Sequence, residues 1–341
     1  MRIGVLTGGG DAPGLNAAIR AITRKALEEK DEVLGIKNGW LGLLEGDTMN
    51  LNLETIRGIL PRGGTILGTS RTNPFKREKG PQKIQENLKR LKIEALIPIG
   101  GEDTLGVALK LSQMGVPVVG IPKTIDNDIP GTTYSLGFDT AVNEVMEALD
   151  KLHPTAESHH RVMVVEVMGR NAGWVAAYGG LAGGADVILL PETPFTLGDV
   201  CEQLRNRHQQ GKDFSIVVIA EGAKPKDLKS AVVQGTKVDE FGHPRPGGIG
   251  HVLAQEVEAR TGYETRVTIL GHLQRGGSPL AVDRISATRM GVKAVELVRQ
   301  GKFGTMVALQ GDRLVEIPLE EGLAGTRPVD KEIYRLAQIF T

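Results

Sequence analysis

The chain has 341 residues, enough to bury a substantial core and to divide into two lobes. Its 41 Lys and Arg balance 41 Asp and Glu, which argues against nucleic acid or an anionic membrane as the main partner. Cys201 is the single cysteine, which excludes an intrachain disulfide or a cysteine-based zinc site. No apolar run approaches the ~18–20 residues of a spanning helix. The opening MRIGVLTGGG reads as a strand reaching a turn rather than a secretion signal, so a soluble cytoplasmic protein is expected.

Short β-branched runs alternate with helical patterns, the signature of parallel sheets with crossover helices. RIGVLT (2–7) predicts a strand, and Ala18, Ile22 and Ala26 mark the buried face of the helix after it. EALIPIG (94–100) predicts another strand, with Thr104 able to cap the following helix and Gly115 able to close it. VPVVGIP (116–122) is the next strand, and RVMVVEVMG, ADVILLP, FSIVVIAEG and TRVTILG form a second series. Helices are expected around 137–152, 197–210 and 282–299, and the polar, turn-rich stretch 223–248 reads as a long surface excursion. In open parallel sheets ligands sit at the carboxyl ends of the strands, and glycine or polar residues follow each predicted strand closely here. The chain carries 45 glycines, nearly twice the usual ~7%. They cluster at turns, where backbone can approach a ligand closely.

Three of those turns carry charge. TGGGDAPGLN (7–16) lies between strand and helix, where a phosphate cradle belongs, but Leu15 and Asn16 replace the Lys and Ser/Thr of a P-loop, and Pro13 breaks the dinucleotide fingerprint. A tight strand–helix turn explains it equally well. In IGGEDTL (99–105) two glycines suit an anion, yet Glu102 and Asp103 follow them, so either a cation belongs here or a carboxylate keeps something out. In PKTIDNDIPGT (122–132), Asp126 and Asp128 sit one residue apart, and in an extended segment both would face one way. One carboxylate could then take a hydroxyl proton while the other holds a metal or its partner, an arrangement suited to phosphoryl transfer. An Asx-rich turn before Pro130 is the structural alternative; Lys123 nearby favours a charged site. Arg71 ends a second glycine-rich stretch (61–71), where a surface arginine is the default reading. Arg161, Arg170, Glu221, Arg266, His272 and Arg275 stand beside glycines or strand ends; singly each arginine reads as a surface charge, but arginine and histidine so placed are what recognition of a phosphorylated sugar requires. His159 and His160 are adjacent, project differently and suggest no metal set.

The ordered set GVLTGGGDAPGLNAAIR, GGEDT, PKTIDND, MGRNAGW, AEG and GHLQRGGSP resembles the 6-phosphofructokinase family over nearly the whole chain. The resemblance implies an α/β, two-lobed phosphofructokinase-like fold with mainly parallel sheets flanked by helices. Residues 1–137 plus about 276–300 would form the phosphoryl-donor lobe, and 138–275 plus about 301–341 the sugar-phosphate lobe. It implies Mg2+-assisted transfer to the 1-hydroxyl of fructose 6-phosphate, with Asp126 as general base and Asp128, Thr124 and Arg170 assisting. Gly9, Arg71, Asp103 and Lys123 would meet the donor, and Glu102, where an aspartate is more usual, the metal. Thr124, Asp126, Met168, Gly169, Arg170, Glu221, His272 and Arg275 would line the sugar pocket, with Arg161 and Arg266 supplied by a neighbouring subunit of a homodimer or homotetramer.

Asp103 and Lys123 stand where ATP-using bacterial members typically carry glycine, and this pair resembles the pyrophosphate-dependent branch. An ATP-dependent enzyme tolerating the aspartate is the nearest rival. A NAD or lipid kinase shares the GGEDT-like turn alone, and a non-enzymatic sugar-phosphate sensor is opposed by the presence of Asp126.

Overall fold

The computed structural model describes residues 1–227, 233–238, 240–242 and 244–339. The expected strands are present, several of them shorter than their apolar runs. Strands β1 (Arg2–Thr7), β2 (Glu32–Ile36), β3 (Thr48–Leu51), β4 (Ala95–Gly100) and β5 (Val119–Pro122) build most of one sheet. β6 (Val162–Val167), β7 (Val187–Leu189) and β8 (Ser215–Ala220) begin a second. β9 (Val233–Val238) and β10 (Pro244–Pro246) pair with each other. β11 (Thr265–Ile269), β12 (Thr305–Gln310) and β13 (Arg313–Pro318) follow.

The first sheet has the order β13-β12-β5-β4-β1-β2-β3, parallel except for its two antiparallel edges. The second, β11-β6-β8-β7, is wholly parallel. β12 and β13 therefore extend the first sheet, against the expectation that everything beyond residue 301 joins the second lobe. The reason is local: β12 hydrogen-bonds beside β5, and the two-residue turn at Gly311–Asp312 folds β13 back along it. The terminal helix Lys331–Ile339 does pack on the second lobe, against helix Trp174–Ala182 and β7.

Both faces of the first sheet are covered. Ile3, Val5, Ile97 and Ile99 pack on one face, and Leu6 and Leu96 on the other, all fully buried. Strands buried on both sides read as continuous apolar runs, which is why they were legible. Helix Leu15–Glu28 lays Ala18, Ile22 and Ala26 on the core as expected. The helix expected to end near 152 continues to His159.

Of the 223–248 excursion, residues 228–232, 239 and 243 lie outside the described residues. Its Glu240 accepts from the Asn73 amide at 3.0 Å and pairs with Arg77 at 2.6 Å, so this part lies over the first lobe. No described helix is long and apolar enough to cross a membrane.

Register places the loops. Thr7 pairs with Ile99, and Gly100 with Pro122, so β1, β4 and β5 end together and release residues 8–14, 101–104 and 123–128 along one edge. Val167 pairs with Ala220, and Glu166 with Ile269, aligning 168–170, 221 and 270–275 in the second sheet in the same way.

Helix Ala281–Arg299 crosses Leu15–Glu28 at Gly291, where an added Cβ would stand 2.8 Å from Ala21 Cβ and 2.9 Å from the Ala18 carbonyl oxygen. Alanine in an exposed helix gains ~1 kcal/mol over glycine. Here overpacking costs ~1–3 kcal/mol. Gly291→Ala is expected to lower the urea unfolding midpoint; an unchanged or raised midpoint would refute this close-contact account.

Candidate active site

The two sets of strand ends face each other across a partly open cleft. From the first sheet come Gly9, Gly10, Arg71, Glu102, Asp103, Lys123, Thr124, Asp126 and Asp128; Arg170 and Arg275 come from the loops after β6 and β11. Gly101 and Thr104 also line it.

Lys123 lies beneath the glycine loop. It is 2% exposed, and its Nζ donates to the carbonyls of Gly8, at 3.0 Å, and Gly10. Burial, and then the nearby Arg275 guanidinium, push its pKa down to about 7. An ammonium has three protons, so one remains for an anion in the cleft. Gly9 holds the loop open with φ +77°, its amide donating to Ser70 at 3.2 Å and its carbonyl accepting from Thr69 at 2.7 Å. Arg275 packs flat against Gly10, where any side chain would collide with it, and donates to the Asp11 carbonyl at 3.1 Å.

Glu102 and Asp103 begin helix Glu102–Gln113, which starts at a Gly101 cap, three residues earlier than a Thr104 cap allows. Gly101 has extended backbone and supplies no side-chain cap, so carboxylates in that turn are favourable by ~0.3–1 kcal/mol through the helix dipole. Two acids in a Gly-rich turn therefore do not oppose the fold. They occupy the helix end that would otherwise face an anion. Thr104 is buried within that turn, against Gly8 and Gly100. Gly115 closes the helix as expected, at φ +86° just after the Met114 cap.

The 124–128 segment is not extended. Asn127 has φ +52°, and its Oδ1 accepts from the Ser135 amide at 3.0 Å and hydroxyl at 3.2 Å. Asp126 donates its amide to Thr124 Oγ1 at 3.1 Å. The left-handed residue turns the chain between the two aspartates, and both reach the cleft through that turn rather than through strand alternation. Asp126 is 5% exposed, and its Oδ1 is buried without a hydrogen-bond partner among the described residues. Burial, and then Asp126, raise the Asp128 carboxyl to about 7.

Across the cleft, Arg170 is left-handed (φ +51°) and points its guanidinium at Asp103, 3.9 Å away. Glu221 holds this turn by its backbone, accepting from the amides of Gly169 at 3.3 Å and Arg170 at 3.1 Å, and burial raises its carboxyl to about 7. Met168 donates its amide to Gln274 at 3.3 Å. Met168, Gly169, Glu221 and the exposed His272 belong to these turns but do not line the cleft.

Arg161 and Arg266 are elsewhere. Both bind Glu264, Arg161 at 2.8 Å, at the amino ends of β6 and β11. The six residues of β6 separate Arg161 from the cleft, about 20 Å at ~3.3 Å per residue, beyond the reach of an arginine. His160 pairs with Asp213 at 2.7 Å, and no group of three or more acidic, His or Cys side chains among the described residues is placed to hold a metal.

A lysine under a glycine loop, an aspartate with an orphaned oxygen and two arginines across a cleft form a phosphoryl-transfer constellation. The phosphofructokinase family profile matches residues 2–298. The chain belongs to the phosphofructokinase family. A pyrophosphate--fructose 6-phosphate 1-phosphotransferase of Streptomyces coelicolor is 54% identical over 342 residues, covering 100% of this chain and 99% of the relative. An ATP-dependent 6-phosphofructokinase of Corynebacterium efficiens is 49% identical, covering 99% and 98%. Among solved structures, Pichia pastoris phosphofructokinase in the T-state superposes with TM-score 0.85 at 30% identity, over 99% of this chain and 36% of that longer chain. Both lobes of this phosphofructokinase thus follow the family fold, as the motif order implied.

An anion beside Lys123 favours its ammonium form, so anion binding raises the lysine's pKa and takes up protons above about pH 7. At pH 8, calorimetry in buffers of different ionisation heat should show that pyrophosphate binding takes up more protons in wild type than in Lys123→Met. The difference should vanish below pH 6, where the lysine is already charged. Equal uptake in the two proteins at pH 8 would contradict this assignment.

Proposed function

We propose that this chain catalyses reversible phosphorylation of fructose 6-phosphate to fructose 1,6-bisphosphate with pyrophosphate as donor, a glycolytic step in the cytoplasm. The carrying observation is Asp103 on the cleft wall in the first turn of its helix, opposite Arg170. ATP has an α-phosphate that would continue past the two transferred positions, towards this carboxylate. Two unit charges 4 Å apart interact by ~4 kcal/mol at an effective dielectric near 20. The Arg170 guanidinium and a divalent cation reduce that figure, but each ~1.4 kcal/mol left is tenfold against ATP. Pyrophosphate ends before this point. The names of the relatives at 54% identity support the same donor.

In this reading Asp126 accepts the 1-hydroxyl proton through its orphaned oxygen. Asp128, with its carboxyl raised to about 7, stands beside it without full like-charge repulsion. Thr124 orients the Asp126 turn, and Arg170 meets charge on the transferred group. Gly9, Arg71 and Lys123 receive the donor phosphates. Met168, Gly169, Glu221, His272 and Arg275 shape the sugar-phosphate side. A Mg2+ ion fits the carboxylate-lined wall: with no three-ligand protein cage among the described residues, Glu102 would hold it together with water and phosphate oxygens. When bound, it would neutralise charge on those oxygens.

The donor lobe is residues 1–137 and about 276–300, with β12 and β13 on its sheet edge; the sugar lobe is 138–275 with the terminal helix. A homodimer or homotetramer would bring Arg161 and Arg266 of one protomer to its neighbour's cleft. Their distance from the cleft of their own chain supports this.

Asp126→Asn should reduce turnover by ~10²–10⁴, the usual range for loss of a general base, with sugar-phosphate binding retained. Mixing it with inactive Arg266→Ala under demonstrated subunit exchange should restore activity, because hybrid sites can combine an intact Asp126 and an intact Arg266. Verified hybrids without activity would reject the shared site. Donor choice is tested by assaying pyrophosphate and ATP side by side. Pyrophosphate should dominate, and Asp103→Gly should improve ATP use relative to it. Strong wild-type preference for ATP would overturn the donor and leave the sugar chemistry standing.

A further inference from the structure

Arg327 lies outside the cleft, in the segment between helices Leu319–Gly322 and Lys331–Ile339, yet it touches the turns of both lobes. Its Nη2 donates to the Asn127 carbonyl at 2.8 Å and to Thr133 at 3.2 Å, and its Nε also reaches Asn127 at 3.2 Å. Its own amide donates to the Asp128 carbonyl at 2.7 Å. The left-handed Asn127 is thus held from outside by arginine and from inside by Ser135.

The other face of the guanidinium lies 4.1 Å from the ring centre of Trp174, whose Nε1 donates to the Arg327 carbonyl at 2.9 Å. Trp174 opens the helix four residues after Arg170. Two residues beyond Arg327, the amide of Val329 shares Glu192 Oε1 with the amide of Gly173, at 3.1 and 2.9 Å. One short segment therefore joins the turn carrying Asp126 and Asp128 to the turn carrying Arg170, across the gap between the sheets.

Arginine suits this place because its planar fork can bond two carbonyls while its face stacks on an indole. A lysine keeps the cation but not the planar fork, so it cannot stack a flat face on the indole while holding both carbonyls in the guanidinium's geometry.

We propose that Arg327 is a positioning residue for phosphoryl transfer, holding the Asp126 turn at a fixed distance and angle from Arg170. The proposal rests on the reading of Asp126 as general base. A displacement of about 1 Å in a reacting group can cost ~100-fold in rate, so the tether should act on the chemical step rather than on substrate binding.

The test is steady-state kinetics of Arg327→Lys, alone and combined with Asp126→Asn. Arg327→Lys should lower kcat by ~10–100-fold, with KM for both substrates changed by less than about threefold. If the tether acts through Asp126, the double variant should be no more than about threefold slower than Asp126→Asn alone. An unchanged kcat, a loss confined to KM, or a full multiplicative loss in the double variant would overturn the proposal. Should Arg327→Lys fail to fold, Trp174→Phe keeps the ring, removes the indole donor to Arg327, and enters the same cycle with the same criteria. Near-normal turnover of Asp126→Asn alone would sink the base assignment instead, and the kcat-against-KM split of Arg327→Lys would still judge the tether.

Discussion

A buried ammonium group must find acceptors, and Lys123 finds them, among the described residues, in the backbone of the loop above it. That one constraint organises the donor side of the cleft. It ties the exit of β5 to the loop after β1, with two inward carbonyls balancing the buried cation. The cost shows in the depression of its pKa to about 7, caused first by burial and then by Arg275. A bound anion would relieve this cost, so the site is arranged for negative charge.

The second-sheet side is built differently. Its turn at 168–170 is held by side-chain acceptors from segments that follow neighbouring strands, Glu221 under the Gly169–Arg170 amides and Gln274 under Met168. The two sides then meet through few polar ties. Arg275 reaches the loop at Gly10 and Asp11, Arg170 faces Asp103, and Arg327 joins the Asp126 turn to the segment beginning at Trp174. A partly buried ion pair as long as 3.9 Å is a weak tie between them. Joining the lobes falls mainly to the apolar surface along helix Phe138–His159, whose Phe138, Val145 and Leu149 belong to a core shared by both sheets. The division of labour is physical: apolar burial fixes the lobes, and directional hydrogen bonds aim the few groups that react.

Asp283 shows how far such aiming extends from the chemistry. This fully buried carboxylate accepts from Tyr134 Oη at 2.6 Å and from the amides of Gly137 at 2.6 Å and Thr140 at 3.0 Å. It joins helix Ala281–Arg299 to the start of helix Phe138–His159, just beyond the Asp126 turn. Nothing in its local sequence distinguishes it from a solvated helix carboxylate. Burial raises its pKa, and the surrounding donors offset that in part.

The sequence by itself determined the strands, because residues buried on both faces of a parallel sheet leave unbroken apolar runs, and it pointed to the turns that line the cleft, because glycine and paired acids follow those strand ends. It also singled out Asp126, Lys123, Asp103 and Arg170 for one cleft, where the strand register brings them together. What it could not contain was contact between distant segments. That β12 and β13 border the first sheet depends on a hydrogen-bond ladder to β5, nearly 200 residues away. The route of Asp126 and Asp128 into the cleft depends on a left-handed Asn127, which Ser135 and Arg327 hold from two sides. Arg327 has no motif around it at all. Periodicity records which face of an element is buried, but only the folded chain decides which carbonyl a remote guanidinium will find.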